Sequence, residues 1–406
     1  MTEGPYKLPE GWRWVRLSEV AWRDSVTLQP SNQPDTVFHY LGMEHVAPGQ
    51  WEEPTPIQIL GAEIKSQVIV YRPGLVLYGK LRPYLNKVVV PSTEGVASTE
   101  FVPIAVNENI LEPHYLGAYL RSPSFVAYAT RNTTGSRQPR VRLEALWDAL
   151  IPLPPLEEQR RIVAKVEELM SRIREAKRLR QEAKEEADRL WQAVLAQTFP
   201  RPGQDLPEGW RWVRLGEVCK TKMGATPSTK VPNYWDPPEI VWVTPEDMEK
   251  GELNFVASSR RLISSKGLKK IGARLFPKGT VLLSTTATIG KVGVALKPLS
   301  ANQQISALTC IANDDPLFVA YYLLSLGERG LRRLGGTATA THINQTNLRL
   351  LPIPLPPLEE QRRIVAHLQA VQEKIKALKE AQAQTEAELK RLEQAILDKA
   401  FRGELQ

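Results

Sequence analysis

The chain has 406 residues, of which 42% are hydrophobic and 24% charged, and its formal net charge is +8. This length predicts two to four folded units of ordinary globular composition. No run of about 18 apolar residues is present, which excludes a membrane-spanning helix. The only cysteines, Cys219 and Cys310, exclude a disulfide framework or a cysteine-rich metal site. Because residues 1–12 also lack the basic and apolar pattern of a secretory signal, we expect a cytoplasmic protein.

The first segment, residues 1–150, is predicted to be a globular domain that combines strands and helices. Near its start lies LPEGWRWVRLSEV (8–20), in which Trp12 and Trp14 alternate with Arg and Val, the spacing of a half-buried strand. We interpret the two tryptophans as packing residues at the junction with the next segment rather than as platforms for base stacking. Short runs rich in Val, Ile, Thr and Tyr predict strands, and residues 112–129 are predicted to be helical.

The second segment, residues 151–199, is predicted to form one long helix. It begins with IPLPPLEEQRRIVA, in which prolines precede the helix and glutamates occupy its first turn, as helix N-termini favour. Apolar residues then recur with the 4-3-4-3 spacing of a coiled coil, interrupted by Arg180. The predicted apolar seam of this helix consists of Ile162, Val166, Leu169, Ile173, Leu190 and Val194.

The third and fourth segments repeat this plan. Residues 200–352 are predicted to be a second globular domain, which opens with LPEGWRWVRLGEV (206–218) and contains a helix at 315–334. Residues 353–406 repeat IPLPPLEEQRRIVA letter for letter and predict a second long helix, whose seam is interrupted by Gln382. A repeat of about 200 residues is far longer than the 20–50 residue periods of solenoid proteins, so one large unit is used twice. The predicted seam of the second helix consists of Ile364, Leu368, Val371, Ile375, Leu389, Leu392 and Ile396.

The order of the four segments constrains how the two helices pair. Neither apolar seam can be buried alone, and the second segment leads from the first domain into the second, whereas the fourth leads back. An antiparallel pair makes these connections short, while a parallel pair needs a link as long as the helices themselves. We therefore predict an α+β fold, in which two mixed α/β domains are joined by an antiparallel coiled-coil pair of long helices with pseudo-two-fold symmetry.

Basic residues concentrate in stretches that contain no acidic residue. Such stretches lie at 65–87, 121–142 and 260–297. Clustered lysine and arginine favour a polyphosphate partner, because each neutralised phosphate releases condensed counterions. A solvated surface explains any single stretch equally well, but three of them in corresponding places favour a nucleic acid.

The loops that follow the β-rich runs carry residue types that read DNA. Arg and Lys suit guanine, Asn and Gln suit adenine, and Ser and Thr hydroxyls reach phosphates or bases. The alternative is that these are ordinary turn and capping residues. The candidate DNA-binding residues of the first domain are Lys80, Arg82, Tyr84, Asn86, Lys87, Arg137, Gln138 and Arg140. Those of the second domain are Lys222, Thr226, Thr285, Thr286, Thr288, Lys291, Asn302, Gln303, Thr339, Thr341 and Asn344.

Signals for catalysis are absent from the sequence. The stretch DPPE (236–239) is similar to the Asp-Pro-Pro-aromatic motif of amino-methyltransferases, but Glu239 replaces the aromatic residue that holds a flipped base. The stretch TIGKVG (288–293) lacks the first glycine and the Ser/Thr of a phosphate-binding loop. The five histidines form no catalytic or metal-binding motif. We predict no catalytic residue, no metal ligand and no enzyme activity in this chain.

Two unlike domains, each followed by IPLPPLEEQRRIVA and a long helix, closely resemble the specificity subunit of type I restriction–modification systems. The likeness covers essentially the whole chain, and PPLEEQRRIV is its most specific element. The two domains resemble two different classes of target recognition domain. The second domain resembles one class in GATPSTKVPNYWDPPEIVWVTPEDM (224–248), GTVLLSTTATIGKVGVA (279–295) and ANQQISAL (301–308). The first domain resembles the other class in VLYGKLRPYLNKVVV (76–90), ASTEF (97–101) and TTGSRQPRV (133–141).

The resemblance implies a subunit that binds double-stranded DNA, with each recognition domain reading half of a bipartite site in the major groove. It implies that the helices set the gap between the halves and dock two methyltransferase (modification) subunits. Those subunits bring S-adenosylmethionine and methylate adenine, and a restriction translocase–nuclease subunit that uses ATP and Mg²⁺ joins them. No cofactor is expected in this chain.

Two other functions compete with this reading. One is a coiled-coil scaffold protein whose basic domains bind RNA or protein, and it predicts weak, non-selective DNA binding. The other is a self-contained methyltransferase, which needs a nucleotide-binding motif that this chain lacks.

Overall fold

The computed structural model describes residues 4–311, 314–334, 336 and 341–405. The chain forms two compact units. Unit 1 comprises Met1–Gln181 with Ala383–Gln406, and unit 2 comprises Glu182–Gln382.

Unit 1 contains a five-stranded and a four-stranded sheet and two short strand pairs. Its strands are β1 (Arg13–Arg16), β2 (Ala21–Arg23), β3 (Thr27–Leu28), β4 (Val37–Leu41), β5 (Ile57–Leu60), β6 (Val68–Tyr71), β7 (Val76–Gly79), β8 (Val88–Val89), β9 (Gly95–Ser98), β10 (Phe101–Val106), β11 (Thr133–Thr134), β12 (Arg140–Val141) and β13 (Leu150–Leu153). The sheets have the orders β3-β6-β9-β4-β5 and β2-β10-β7-β8. The helices that begin in unit 1 are α1 (Leu17–Val20), α2 (Pro113–Leu120), α3 (Pro123–Arg131), α4 (Leu143–Asp148) and α5 (Leu156–Thr198).

Strand β10 lies at the centre of unit 1 and is buried along its whole length. Val102 and Ile104 belong to the cluster formed with the helices. Phe101 and Ala105 belong to the cluster formed with the five-stranded sheet. Because successive side chains of a strand point to opposite faces, β10 is covered on both sides and reads as a continuous apolar run.

The helix predicted at 112–129 is two helices in the structure. Ser122 caps the second helix, since its hydroxyl oxygen accepts a hydrogen bond from the Phe125 backbone N–H at 3.2 Å. Pro123 follows at the first helical position, where its missing N–H costs nothing. The prediction of one helix was wrong because this proline and its cap restart the helix.

Unit 2 contains a five-stranded and a three-stranded sheet and one short strand pair. Its strands are β14 (Arg211–Arg214), β15 (Cys219–Met223), β16 (Ile240–Val243), β17 (Leu253–Val256), β18 (Leu262–Ile263), β19 (Val281–Ser284), β20 (Val292–Ala295), β21 (Ser300–Ala301), β22 (Ile305–Cys310) and β23 (Pro352–Leu355). The sheets have the orders β15-β22-β19-β20-β17 and β18-β16-β21. The helices that begin in unit 2 are α6 (Leu215–Val218), α7 (Ser265–Lys270), α8 (Pro316–Arg333), α9 (Gln345–Arg349) and α10 (Leu358–Arg402). Helix α8 kinks at Gly327, whose φ of 61° is accessible to glycine at little cost.

The repeated sequences are adjacent in space within each unit. Strand β1, from the repeat RWVR, pairs antiparallel with β13, from the repeat IPL. Strand β14 pairs with β23 in the same way. Trp14 is only 8% exposed and Trp12 packs against the core of unit 1, which confirms the predicted packing role. The two repeats therefore form one junction between each globular part and its long helix.

A buried glutamine ties each long helix to the loop before α2 or α8. The side-chain oxygen of Gln159 accepts from the Glu112 backbone N–H at 2.9 Å, and its amide donates to the carbonyl oxygens of Ile110 and Pro154 at 2.8 and 2.9 Å. In unit 2 the corresponding residue, Gln361, accepts from the Asp315 backbone N–H at 2.8 Å. Every hydrogen-bonding atom of the Gln159 amide group thus has a partner, as a buried polar group requires.

The long helices run antiparallel within unit 1. Lys177 pairs with Glu393 at 2.7 Å, and Arg180, further along α5, pairs with Glu386, which comes earlier in α10, at 3.8 Å. Within unit 2, Lys379 of α10 pairs with Asp188 of α5 at 2.6 Å. The predicted α+β class with paired long helices is confirmed.

The predicted apolar seam is correct in part. Among its members, Ile162, Val166, Ile173, Leu368, Ile375 and Ile396 are buried, and Leu169, Val194, Ile364, Val371 and Leu389 are partly buried against the cores. Leu190 and Leu392, however, are 56% and 49% exposed.

The buried stripe of α5 in unit 2 instead uses Ala187, Trp191 and Leu195. An α-helix has 3.6 residues per turn and drifts away from a strict 3.5-residue repeat. The globular part of unit 2 also covers this stretch of α5. The residues that α5 buries here are therefore those that face that globular part. The prediction of Leu190 as a seam residue was therefore wrong, whereas Leu392 of α10 lies at the exposed edge of a groove that Leu169 and Ile173 of α5 also line.

Candidate nucleic-acid interface

In unit 1 the loop between β7 and β8 projects from two buried strands. It contains a 3₁₀ turn at Pro83–Leu85, flanked by Arg82 and Asn86, whose φ angles of 50° and 51° are left-handed. Such angles are uncommon for residues other than glycine and tend to occur at functional sites. Arg82 is exposed and Tyr84 is 51% exposed. The loop thus presents a cation and an aromatic ring to solvent on a constrained backbone.

The hairpin β11–β12 lies directly against this loop. The Arg82 backbone N–H donates to the Pro139 carbonyl oxygen at 2.7 Å, and the Val141 N–H donates to the Lys80 carbonyl oxygen at 3.0 Å. We call residues 80–87 and 133–141 together the unit 1 loop pair. It brings Arg137 and Gln138, both exposed, beside the exposed residues of the first loop. Candidates from two distant parts of the sequence therefore form one surface.

Four candidates of the unit 1 loop pair already have partners within the protein. Lys80 donates through Nζ to the Thr99 carbonyl oxygen at 2.8 Å, Asn86 through Nδ2 to that of Arg121 at 3.0 Å, and Lys87 through Nζ to that of Met43 at 2.7 Å. Burial lowers the pKa of the Lys87 ammonium. Asn86 and Lys87 therefore hold the loop in shape.

The fourth of these candidates, Arg140, forms an ion pair with Glu100. The distance from Nη2 to Oε1 is 2.7 Å, and Nε lies 3.1 Å from Oε2. The hydrogen-bonded guanidinium lowers the pKa of the Glu100 carboxyl group. Glu100 was not among the predicted residues.

In unit 2 the loop between β19 and β20 meets the segment before α9. The hydroxyl of Thr286 lies 2.8 Å from Nδ1 of His342, and the Ala287 N–H donates to the Thr341 carbonyl oxygen at 3.1 Å. We call residues 285–291 and 341–344 together the unit 2 loop pair. Thr288 and Thr341 are exposed on it.

Other candidates of unit 2 divide into exposed and internal residues. Thr226 and Gln303 are exposed and in contact with each other, and Lys222 is exposed on β15. Thr285 and Asn302 are 0% and 6% exposed. The prediction that these two residues contact DNA is corrected, because their side chains are buried and have a structural role.

Two further candidates of unit 2 support the backbone, and one cannot be described. Lys291 donates through Nζ to the Pro245 carbonyl oxygen at 2.7 Å. Asn344 caps α9, since its side-chain oxygen accepts from the Asn347 N–H at 2.7 Å. Thr339 lies outside the described residues.

Helix α7 adds basic residues that the predicted set lacked. Lys266, Lys269 and Lys270 are exposed, whereas Gly267 faces the interior. The Ser264 hydroxyl, which caps the helix, donates to the Asn233 carbonyl oxygen at 2.6 Å. These lysines belong to the acid-free stretch 260–297, but no helix was predicted there.

Two other kinds of site were sought in the described part of the chain. Within residues 4–311, 314–334, 336 and 341–405, no group of three or more His, Cys, Asp or Glu side chains is arranged to hold a metal ion. Over the same ranges, no helix combines the length and the apolar character needed to cross a membrane.

Comparison with known proteins identifies the family. The profile of the type I restriction modification DNA specificity domain matches residues 84–185 and 207–388. The chain belongs to the type I restriction–modification specificity family. Its membership confirms the resemblance to this family that was drawn from the sequence.

Relatives within the specificity family include the type I restriction enzyme MjaIX specificity subunit of Methanocaldococcus jannaschii. It is 32% identical over 40% of this chain and 38% of the relative. The putative MjaX specificity subunit of the same organism is 26% identical over 72% of this chain and 68% of the relative. The match spans 38% and 42% of the first two curated relatives, the second being the EcoDI specificity subunit of Escherichia coli.

Two solved structures resemble the whole chain. One, from a study of complex assembly and conformational transition of the type I restriction–modification system, is 40% identical, with a TM-score of 0.84 over 98% of this chain and all of that chain. The other is the HsdS subunit from Thermoanaerobacter tengcongensis, also 40% identical, with a TM-score of 0.65 and full coverage of both chains.

Proposed function

We propose that this chain is the DNA-specificity subunit of a type I restriction–modification complex and is itself non-catalytic. Each unit's loop pair reads one half of a bipartite, non-palindromic target in double-stranded DNA. The observation that carries the proposal is that each unit combines its own loop pair, unlike that of the other unit, with the same junction of repeated sequences. A shared junction combined with different loops suits a target whose two halves differ in sequence.

The chemistry of the exposed loop residues supports base and phosphate contact. Arg82, Arg137 and Gln138 offer the donors that guanine and adenine edges accept in the major groove. In unit 2 the exposed threonines and the α7 lysines suit phosphate oxygens. Because the loops extend from buried strands, these side chains are presented on a rigid base.

We further propose that the long helices dock two methyltransferase subunits, which carry S-adenosylmethionine, and that a restriction translocase–nuclease with ATP and Mg²⁺ joins them in the cytoplasm. This chain is proposed to hold no cofactor. An apolar groove of about 450 Å³ in unit 1, lined by Leu169, Ile173, Leu389 and Leu392, supports the docking role. Half-exposed leucines on a charged helix are suited to burial by a partner.

The deciding experiment is to produce the chain together with the products of its neighbouring genes and to map methylated adenines. We expect one split motif, whose methylation disappears when this chain is omitted. Methylation that does not depend on the chain would overturn the proposal. A scaffold that binds RNA or protein would leave only weak DNA binding without sequence preference.

Exchange of residues 20–150 for the corresponding domain of another family member should change one half of the methylated motif. The expected result follows because the unit 1 loop pair lies wholly inside the exchanged stretch. Sequencing of methylated DNA measures it, and the reciprocal exchange of 218–352 serves as the control. A change in both halves would contradict independent reading by the two units.

Arg82→Ala should weaken specific binding and relax one base position by about 1–3 kcal/mol, the value of a good base contact. Alanine is about as strained as arginine in this left-handed backbone conformation, so the free energy of unfolding should change little. Competition binding with single-base variants of the motif measures the effect. Arg161→Ala, which removes the same charge from the start of α5, is the control and should leave base preference unchanged.

A further inference from the structure

The ion pair between Arg140 and Glu100 occupies the middle of the unit 1 loop pair. The Lys80 backbone N–H donates to the Glu100 carbonyl oxygen at 3.0 Å, and Leu81 forms a β-bridge with Arg140. Glu100 directly precedes the buried strand β10. Glu100 therefore lies in the short turn between β9 and β10, next to the buried end of β10.

The pair uses only one edge of the guanidinium group. Glu100 accepts from the edge formed by Nε and Nη2. Among the residues that the structure describes, the other edge, formed by Nη1 and Nη2, has only long contacts, at 3.5 and 3.4 Å, to the backbone and side-chain oxygens of Gln138. Because the guanidinium is planar, holding one edge fixes the direction in which the other edge points.

The remaining edge has the geometry for one nucleobase. Two parallel N–H donors match the O6 and N7 acceptors that guanine presents in the major groove. A phosphate is a poorer match, because the pair of Arg140 with Glu100 is neutral overall and releases few counterions. The side chain of Arg140 is 39% exposed and that of Glu100 is 26% exposed, so the pair can be reached from solvent.

We propose that Glu100 is a positioning residue that aims the Nη1 and Nη2 edge of Arg140 at a guanine in the half-site read by unit 1. This inference rests on the proposed DNA-specificity function and adds a base identity to it. Gln138, which contacts the same edge, moves aside when the guanine binds.

The test uses the purified complex with its methyltransferase subunits and DNA duplexes that carry the mapped motif. Each guanine on either strand of the unit 1 half-site is replaced in turn by 7-deazaguanine, which lacks the N7 acceptor. We expect one replacement to weaken binding at least about tenfold, the loss for a hydrogen bond to a charged group. In the Arg140→Ala complex, that replacement should have no effect.

Variants of Glu100 test its positioning role. In Glu100→Gln, the penalty for 7-deazaguanine should fall toward that of Arg140→Ala, and the double variant should lose no more than Arg140→Ala alone. Release of the arginine charge should also raise affinity for unrelated DNA and steepen its salt dependence by about one unit of slope. If Glu100 had only a structural role, Glu100→Gln would not lower the 7-deazaguanine penalty and at the same time steepen the salt dependence of binding.

A second ion pair of unit 1 provides the matched control. Arg72 pairs with Asp24 at 2.7 Å outside the loop pair, and Asp24→Asn should leave the 7-deazaguanine penalty unchanged. The inference is overturned if no guanine shows a penalty that depends on Arg140, or if Glu100→Gln keeps the full penalty. Absence of any specific binding by the unaltered complex would instead overturn the proposed function, and this inference with it.

Discussion

Replacing Trp191 with alanine should lower the free energy of unfolding by about 3–5 kcal/mol, the range for a large buried aromatic side chain. Trp191 is 4% exposed, its ring packs 6.2 Å from that of Tyr321, and its indole N–H donates to the Gly251 carbonyl oxygen at 2.8 Å. Alanine removes the packing and leaves that carbonyl without its donor. The loss should appear as a lower midpoint in urea-induced unfolding.

The neighbouring residue is the control for this prediction. Leu190 is 56% exposed, and Leu190→Ala should change the free energy of unfolding by less than about 0.5 kcal/mol. A strict coiled-coil seam through Leu190 predicts the reverse order of the two variants. Equal losses would mean that the stripe in unit 2 is not centred on Trp191.

Gln159→Leu should destabilise unit 1 by about 3–5 kcal/mol. Leucine fits the volume but leaves one backbone N–H and two carbonyl oxygens buried without partners, each costing about 1–3 kcal/mol before relaxation. Gln361→Leu should have a similar effect in unit 2, where the amide donates to Asp314 and to the Pro356 carbonyl oxygen, both at 3.0 Å. Thermal unfolding followed by circular dichroism measures both.

Gln192→Leu is the matched control, because Gln192 lies on the same helix as Gln159 but is exposed. Its expected effect is within about 0.5 kcal/mol. If Gln159→Leu and Gln192→Leu cost the same, the buried hydrogen bonds at the helix start contribute no net stability.

Much of the fold could be predicted because it is encoded locally. The repeats around Trp14 and Gln159 mark the junctions, and the apolar rhythm of α5 marks a helix that needs a partner. The fold predictions that were wrong concern features that depend on distant parts of the chain. Leu190 fits the heptad, yet it is exposed because the surface that covers α5 in unit 2 lies against Trp191.

The candidate site was predictable to a similar extent. Residue type pointed to Arg82, which is exposed, but nothing local indicates that Lys87 reaches the carbonyl of Met43, 44 positions away. Glu100 was missed for the same reason, since its partner Arg140 lies 40 positions further along the chain. Side-chain chemistry indicates what a loop is able to bind, whereas tertiary contacts decide which of its groups remain available.

The pairing of β1 with β13 and of β14 with β23 has a consequence for inheritance. The sequences that bracket each recognition domain are nearly identical in the two halves of the chain. A genetic crossover within those brackets exchanges one domain while each junction keeps the repeated sequences that pair β1 with β13 or β14 with β23. Under the proposed function, we expect such a crossover to change one half of the target in a single step.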